Sequence, residues 1–300
     1  SCWLSDNKTT FNNREAVCIM KANVIAEIGI NHQGDLNLMK EMMLIAKRCG
    51  ADYVKGQKRE PRLCLTKEQY EKPYDSPNSF GKTYGEHKEA LEFSKDQWKE
   101  LFDYAQEIDI KLFASVFDEA SAELMFDLGA DLFKIGSAEV SKHELLKVIQ
   151  SFNKPIILST GMSTIEEIDA AVDCLTGSEL TIMHCTSAYP CKEEDVNLNV
   201  LRTLKNRYYH KRTNIGLSGH YIQGSGAIEC AAIGLGATWF ERHFTLDRTM
   251  KGSDQSSSLE PTGLERVIKS IRSVEKAMGK AEKTILDCEI SARKKFKGDL

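Results

Sequence analysis

No apolar run in these 300 residues approaches the roughly 20 needed to span a bilayer as a helix, so nothing here reads as a membrane segment. There is no CxxC pair among the nine cysteines: Cys2, Cys18, Cys49, Cys64, Cys174, Cys185, Cys191, Cys230 and Cys288. Their odd count, in a chain too long to need stapling, points to free thiols rather than a disulfide framework. Residues 1–8 lack the apolar segment of a signal peptide, so the cytoplasm is the expected location, and Asn7-Lys8-Thr9 matches a glycosylation acceptor only by chance. Positive charge is not in excess. Forty Lys and Arg stand against 44 Asp and Glu, a formal net charge of -4, which argues against a nucleic-acid partner. The basic tail, residues 292–297, is too short to change that. Also missing is the dinucleotide fingerprint: residues 29–34 read Gly-Ile-Asn-His-Gln-Gly, not GxGxxG.

What is present is an alternation. Apolar, β-type runs at 24–30, 53–57, 111–117, 132–136, 155–160, 180–186, 214–218 and 238–245 are separated by amphipathic helical stretches. Runs that are apolar throughout suit parallel strands covered on both faces. Ser94-Lys-Asp-Gln97 and Ser163-Thr-Ile-Glu166 read as capping boxes at helix starts. Thr262 opens a last helix with an apolar stripe of Leu264, Val267, Ile268, Ile271, Val274 and Met278, closed by Gly279. Three segments repeat one design: Gly50-Ala-Asp-Tyr-Val-Lys55, Gly129-Ala-Asp-Leu-Phe-Lys134 and Gly236-Ala-Thr-Trp-Phe-Glu241. Each is a helix-ending glycine leading into a strand that delivers a charge at the same offset. Eight strand–helix units favour a closed α/β barrel, a (β/α)8 TIM barrel, over a doubly wound sheet. Residues 1–21 are an N-terminal extension that could cover the barrel bottom, 22–280 the barrel, and 281–300 a tail or linker. A long polar connection, 58–93, follows strand 2; it reads equally as a lid or as a disordered insertion.

In such barrels the reacting groups stand at the carboxyl ends of strands, and here those ends are polar. Glu27, Asn31 and His32 follow the first strand; Lys55, Gln57, Ser115, Lys134, Ser137, Glu139, Ser159, Ser187, Tyr189, Ser218, His220, Glu241 and His243 follow in turn. Lys55 and Lys134 come after apolar or aromatic residues, so the chain plants ammonium groups inside the barrel mouth. A buried ammonium needs a counter-charge. Either a bound anion supplies it, with the serine hydroxyls as phosphate donors, or Glu27, Glu139 or Glu241 forms a structural salt bridge. His220 and His243 end consecutive strands, where two imidazoles could hold Mn²⁺ or Zn²⁺. His184 lies inside a strand and reads as core. Cys185 and Cys191 read as structural, and Trp239-Phe240 as packing.

At these residues the chain resembles the sialic acid synthase family. The stretches that carry the likeness are 26–34 (Ala-Glu-Ile-Gly-Ile-Asn-His-Gln-Gly), 54–57 (Val-Lys-Gly-Gln), 133–139 (Phe-Lys-Ile-Gly-Ser-Ala-Glu) and 157–162 (Ile-Leu-Ser-Thr-Gly-Met). They continue with 184–190 (His-Cys-Thr-Ser-Ala-Tyr-Pro), 215–218 (Ile-Gly-Leu-Ser) and 241–248 (Glu-Arg-His-Phe-Thr-Leu-Asp-Arg). The resemblance implies condensation of phosphoenolpyruvate with a 2-acetamido sugar aldehyde such as N-acetylmannosamine, giving a nine-carbon ulosonic acid and phosphate. It implies that Lys55, Ser115, Lys134, Ser137, Ser159, Ser187 and Ser218 hold phosphoenolpyruvate. His220 and His243 would bind Mn²⁺, Glu27 would stand near the reacting centre, and Gln57, Glu139, Tyr189 and Asp254 would face the sugar. Glu27, Glu139, Lys55 and Lys134 are the implied catalytic groups, and a cytoplasmic homodimer is the implied assembly.

The chain departs from the family's pattern at three places. Ser218-Gly219-His220-Tyr221 stands where Ser-Asp-His-Thr is usual, removing a carboxylate beside the metal ligand. Gln255 replaces a histidine found in many members, and Ser187 an asparagine found in some. Ser187-Ala188-Tyr189 leans toward legionaminic and pseudaminic types. Most members also carry a small C-terminal antifreeze-like domain whose arginine reaches the partner subunit's site; the sequence ends at Leu300, before such a domain would be complete. Two other functions compete: a Schiff-base aldolase using pyruvate, which needs a neutral lysine, and a non-catalytic sugar-phosphate-binding barrel.

Overall fold

Each of eight parallel strands pairs with its neighbours in sequence, and the last pairs with the first, so the sheet closes into a barrel. The strands are β1 (Asn23–Gly29), β2 (Tyr53–Lys58), β3 (Lys111–Val116), β4 (Phe133–Ile135), β5 (Ile156–Ser159), β6 (Leu180–His184), β7 (Asn214–Gly219) and β8 (Trp239–His243). All eight coincide with the expected runs, differing by one or two residues at their ends. The helices are α1 (Leu36–Arg48), α2 (Pro61–Cys64), α3 (Lys67–Glu71), α4 (Tyr84–Ala90), α5 (Lys95–Glu107) and α6 (Glu119–Asp127). They continue as α7 (His143–Ser151), α8 (Ile165–Cys174), α9 (Val200–Tyr208), α10 (Ala227–Gly234), α11 (Pro261–Met278) and α12 (Ile290–Lys297). This computed structural model describes residues 21–211 and 213–298. Apart from Lys21, the expected cover over residues 1–21 lies outside the described residues.

Inward side chains explain how one barrel can be both packed and reactive. Strand residues alternate between faces, and the outward set packs under the helices in one large core that includes Val24, Ala26, Ile28, Leu158, Ile182 and Phe240. The inward set changes character with height. At the amino end, Ile25, Phe113, Leu132, Ile157, Met183 and Trp239 form a separate buried cluster, with Tyr53 against it. Two residues further along the same strands the inward positions are Glu27, Lys55, Ser115, Lys134, Ser159, Ser218 and Glu241. The apolar plug excludes water beneath, and the polar layer above it opens to the mouth. The repeated glycines Gly50, Gly129 and Gly236 have φ of 97°, 88° and 96°, so each does supply the left-handed turn that restarts a strand.

Several local expectations change. Thr164, not Ser163, caps α8, with Glu167 completing the box. Helix α11 starts at Pro261, whose fixed φ suits a first helical turn, rather than at Thr262. Met278 at the end of its stripe is 53% exposed, outside the core. The long connection after β2 is neither a bare lid nor disordered: it contains α2, α3 and α4, two of them with capping boxes, and an antiparallel bridge between Pro73 and Thr83. The tail carries the short, exposed helix α12.

Candidate active site

The three repeated segments bring their charges to one place. Lys134 Nζ lies 3.0 and 2.8 Å from the two carboxylate oxygens of Glu241. Lys55 Nζ lies 2.7 Å from Glu27 Oε2, 3.7 Å from Glu241 Oε2, and donates to Ser115 Oγ at 2.6 Å. Ser218 Oγ donates to Glu241 Oε1 at 2.9 Å. Register dictates this: Glu27 is opposite Lys55, Ser115 opposite Lys134, and Ser218 opposite Glu241. The lysines therefore do not stand unpaired; each already has a carboxylate partner. Of the three glutamates proposed as counter-charges, Glu27 and Glu241 serve, while Glu139 lies instead 3.6 Å from Lys142.

The two carboxylates are not equivalent. Burial pushes Glu27 above the usual carboxylate range, and Lys55 only partly opposes it. Burial acts on Glu241 in the same direction, but Lys134 and Lys55 together overcome it and hold its carboxyl well below that range. Burial pulls Lys134 down against the attraction of Glu241. Lys55 is raised, because Glu241 and Glu27 outweigh its burial. Glu241 is thus the firm anion between the two lysines, and Glu27 the weaker of the two carboxylates on the floor.

The pairing leaves room. A cavity of about 450 Å³ opens above these groups and is lined by Glu27, Lys55, Lys134, Glu241, Gln57 and Ser115. Ser137, Glu139, Ser159, Ser187, Tyr189 and Ser218 also line it, as do His220, His243 and Asp254. The fourteen residues that the family resemblance implied for substrate, metal or catalysis thus all face one space. Ser159 Oγ and Glu139 Oε2 are buried without a hydrogen-bond partner, and burial raises Glu139. Ser137 Oγ accepts from the Gly161 amide at 2.9 Å. A Cβ on Gly161 would come within 2.3 Å of Ser187 Oγ and 3.0 Å of Ser137 Oγ, so glycine there keeps two hydroxyls in place.

On the opposite wall the rings of His220 and His243 are 5.4 Å apart, and Tyr189 lies over His220 at 4.2 Å. His220 Nδ1 contacts the Thr186 carbonyl oxygen at 2.7 Å; as a donor it leaves Nε2 with a free lone pair. Burial and the neighbouring His243 lower His220 to about 4, which favours the neutral, ligating form. His243 Nδ1 is buried without a partner, 3.7 Å from Asp254 Oδ2. Among the described residues no three His, Cys, Asp or Glu side chains converge as a metal cage. The donors fit a cation that takes two imidazole nitrogens and fills its shell with water and substrate oxygens, the open pattern of catalytic sites.

Other candidates fall away from the cavity. His32 stacks on Phe93 at 4.3 Å and accepts from the Gly34 amide at 3.0 Å, while burial lowers it to about 4. His184 contacts the Val196 carbonyl oxygen at 2.6 Å, as a core residue. Asn31 donates to Phe244 O and Ser258 Oγ, both at 2.9 Å, tying β1 to the chain beyond β8. Gln255 is buried, accepts from Thr245 and donates to the Asn31 carbonyl, so it braces the Asp254 loop from behind. Residues lining the cavity that the sequence did not single out include Arg59, Lys88, Met162 and Cys185.

Gly219, where the family's usual carboxylate is missing, packs against the ring of Tyr221 in a buried cluster. A Cβ on Gly219 would meet the Tyr221 ring at 2.7 Å. Tyr221 stacks under the Arg242 guanidinium at 4.1 Å and donates to Glu229 Oε1 at 2.7 Å. Arg242 Nη1 pairs with the same Glu229 oxygen at 2.6 Å, and Arg242 also binds the carbonyls of Tyr221 and Gln223. Glu229 on α10 thus anchors Arg242, which, between Glu241 and His243 in sequence, clamps the loop that starts at His220.

Comparison with known proteins follows the same lines. The NeuB family matches residues 42–283. N-acetylneuraminate-9-phosphate synthase of Mus musculus is 42% identical over 275 residues, 91% of this chain and 76% of the relative. N,N'-diacetyllegionaminic acid synthase of Campylobacter jejuni is 38% identical over 265 residues, 86% of this chain and 78% of the relative. The structure of an N-acetylneuraminic acid (sialic acid) synthetase from Leptospira borgpetersenii, in complex with citrate, superposes with a TM-score of 0.78 at 28% identity, covering 94% of each chain.

Proposed function

The chain belongs to the NeuB family, and from that premise we propose how it condenses phosphoenolpyruvate with an amino-sugar substrate to give a sialic-acid-type ulosonic acid and phosphate. The observation that carries the reading is the floor of the cavity. Two lysines bracket one ionised carboxylate, hydroxyls surround them, and space remains above. We assign phosphoenolpyruvate to Lys55, Lys134, Ser115, Ser137, Ser159, Ser187 and Ser218, and the open-chain sugar to Gln57, Glu139, Tyr189 and Asp254. The methylene carbon of phosphoenolpyruvate bonds to the aldehyde carbon. Water adds to the resulting cationic carbon, and phosphate leaves as its carbon–oxygen bond breaks.

Preorganised charge in a dry site supports this chemistry without reorganisation cost at the moment of reaction. Lys55 and Lys134 orient and balance the anion. Glu139, whose buried Oε2 has no hydrogen-bond partner and whose pKa burial raises, is suited to orient the water and hold its proton. Glu27 sits beside Lys55 at the reacting centre. His220 and His243 would hold a divalent cation, Mn²⁺ by the family's resemblance, which when bound would polarise the aldehyde as a Lewis acid. The sugar is an N-acetylmannosamine-like 2-acetamido aldehyde. Ser187-Ala188-Tyr189 leans toward legionaminic or pseudaminic types. Identities are 42% to an N-acetylneuraminate-9-phosphate synthase, 38% to a legionaminic acid synthase and 32% to the pseudaminic acid synthase of Helicobacter pylori, which does not favour the pseudaminic branch. Homodimer assembly, a cytoplasmic location, and a division into barrel (22–280) and linker (281–300) belong to the same reading. Among the described residues no helix is long and apolar enough to cross a membrane.

Incubation with phosphoenolpyruvate, Mn²⁺ and a panel of 2-acetamido sugars should release phosphate with at least one sugar and give a product of the condensed mass. No release with any sugar, from folded protein, would move the assignment to a binding barrel. The aldolase alternative draws on the lowered pKa of Lys134, which burial produces and both oxygens of Glu241 oppose. Borohydride with pyruvate should leave the protein's mass unchanged; a trapped adduct would restore the aldolase. Gly161→Ala should raise KM for phosphoenolpyruvate roughly 10- to 100-fold by displacing Ser187 and Ser137, with little change in thermal midpoint. An unchanged KM would remove those hydroxyls from the site.

A further inference from the structure

Arg59 lines the mouth of the cavity and has no part in the assignments so far. Building on the synthase reading, we infer that Arg59 is a positioning residue for the sugar. It fixes the Gln57 amide in one of its two orientations, so that the nitrogen, not the oxygen, faces the substrate.

Lys55, Gln57 and Arg59 alternate along β2 and its exit, so their side chains share one face. Arg59 donates to Gln57 Oε1, and Gln57 Nε2 donates to Glu27 Oε1 at 3.2 Å. The other oxygen of Glu27 lies 2.7 Å from Lys55 Nζ. A guanidinium offers only donors and an ionised carboxylate only acceptors, so an amide between them satisfies both one way round. Gln57 Nε2 makes no second hydrogen bond among the described residues, which leaves an N–H for a substrate oxygen. Gly29 marks where that nitrogen points. Its φ is 57°, and a Cβ there would lie 3.1 Å from Glu27 Oε1, 3.2 Å from Gln57 Nε2 and 3.4 Å from Asp254 Oδ2. One donor therefore converges with two acceptors on the space beside Gly29. With the amide reversed, three acceptors would meet there and a sugar hydroxyl would lose its donor.

Arg59 is itself held from two sides, as a positioning residue must be. Lys58 stands opposite Val116 in the β2–β3 register, so the next residues, Arg59 and Phe117, come level. The guanidinium lies 3.8 Å from the Phe117 ring centroid, and Arg59 Nε is 3.2 Å from Glu92 Oε1. Glu92 does not depend on that contact. Its Oε2 is 3.2 Å from Lys58 Nζ and accepts from the Arg59 backbone amide at 3.1 Å. Removing the guanidinium therefore strands no carboxylate, and the fold should tolerate it.

The test is a double-mutant cycle in the full chain, with Mn²⁺, phosphoenolpyruvate and N-acetylmannosamine. Arg59→Met should lower kcat/KM for the sugar about 10-fold, the effect of one misdirected hydrogen bond in a buried site. KM for phosphoenolpyruvate should hold; a rise there would mean that Arg59 acts as a bare charge, which overturns the inference. In a Gln57→Met background the same substitution should cost less than about 2-fold, because no amide is left to orient. Equal losses in both backgrounds would overturn the inference while leaving the synthase standing. No phosphate release with any 2-acetamido sugar would instead sink the synthase reading. The Gln57 side-chain amide then reports on Arg59 without turnover. Its nitrogen-15 NMR signals, identified by their loss in Gln57→Met, should broaden in Arg59→Met as the amide samples both orientations. Signals that stay sharp and in place would overturn the role of Arg59.

Discussion

Lys134→Met should lower kcat/KM for phosphoenolpyruvate roughly 10²- to 10³-fold, the usual effect of deleting one preorganised charge donor. The same change should also destabilise the fold by about 3–5 kcal/mol, because it strands Glu241 as a buried, under-compensated charge. Lys134 contacts both oxygens of Glu241, and the two side chains are 3% and 5% exposed, so water cannot take the ammonium's place. The two effects separate in the double variant Lys134→Met, Glu241→Leu. Removing both charges should recover most of the stability, as measured by denaturant unfolding, while steady-state turnover stays low. Recovery of turnover in the double variant would mean that Lys134 serves only to balance Glu241, and that the anion sits elsewhere.

A loss of comparable size is expected far from any substrate contact. Glu229→Ala should cost about 3–5 kcal/mol, since Arg242 and Glu229 are 1% and 2% exposed and Arg242 would keep a buried charge with only carbonyls around it. The damage should reach the cavity, because Arg242 holds the loop directly after His220. Mn²⁺ affinity, followed by electron paramagnetic resonance on folded protein, should fall by about 10- to 100-fold, as for other supporting residues of a metal ligand. Tyr221→Phe, which loses one hydrogen bond to Glu229, should cost only about 1 kcal/mol. Gly219→Asp should not substitute for Glu229, because the new side chain would collide with the Tyr221 ring. Wild-type stability in Glu229→Ala would show that the clamp bears no load.

How much of this was legible in the sequence depended on the distance between partners. The strands were readable because parallel strands buried on both faces are apolar throughout, and the repeated Gly-Ala-x-x-x-charge segments marked where charge enters the barrel. That Lys55, Lys134 and Glu241 meet follows from closure of the sheet, which pairs β8 with β1; spacing alone could not choose between an ion pair and an empty anion site. Arg59 and Lys88 were not singled out because they lie in the connection after β2, whose helices of four to seven residues carry little periodic signal. The cluster of Tyr221, Glu229 and Arg242 beside Gly219 was not legible, because Glu229 reaches it from the next helix. At α8, Ser163 and Thr164 are adjacent candidates with glutamates three residues on, and geometry alone selects Thr164.

The central claim is that the lysine floor holds phosphoenolpyruvate while the sugar above it is attacked, with phosphate leaving by carbon–oxygen cleavage. Phosphoenolpyruvate labelled with ¹⁸O at the bridging oxygen tests it most directly. The label should appear in the released phosphate, and only when the sugar is present. Label retained in the sugar acid, or phosphate released at the same rate without sugar, would contradict it.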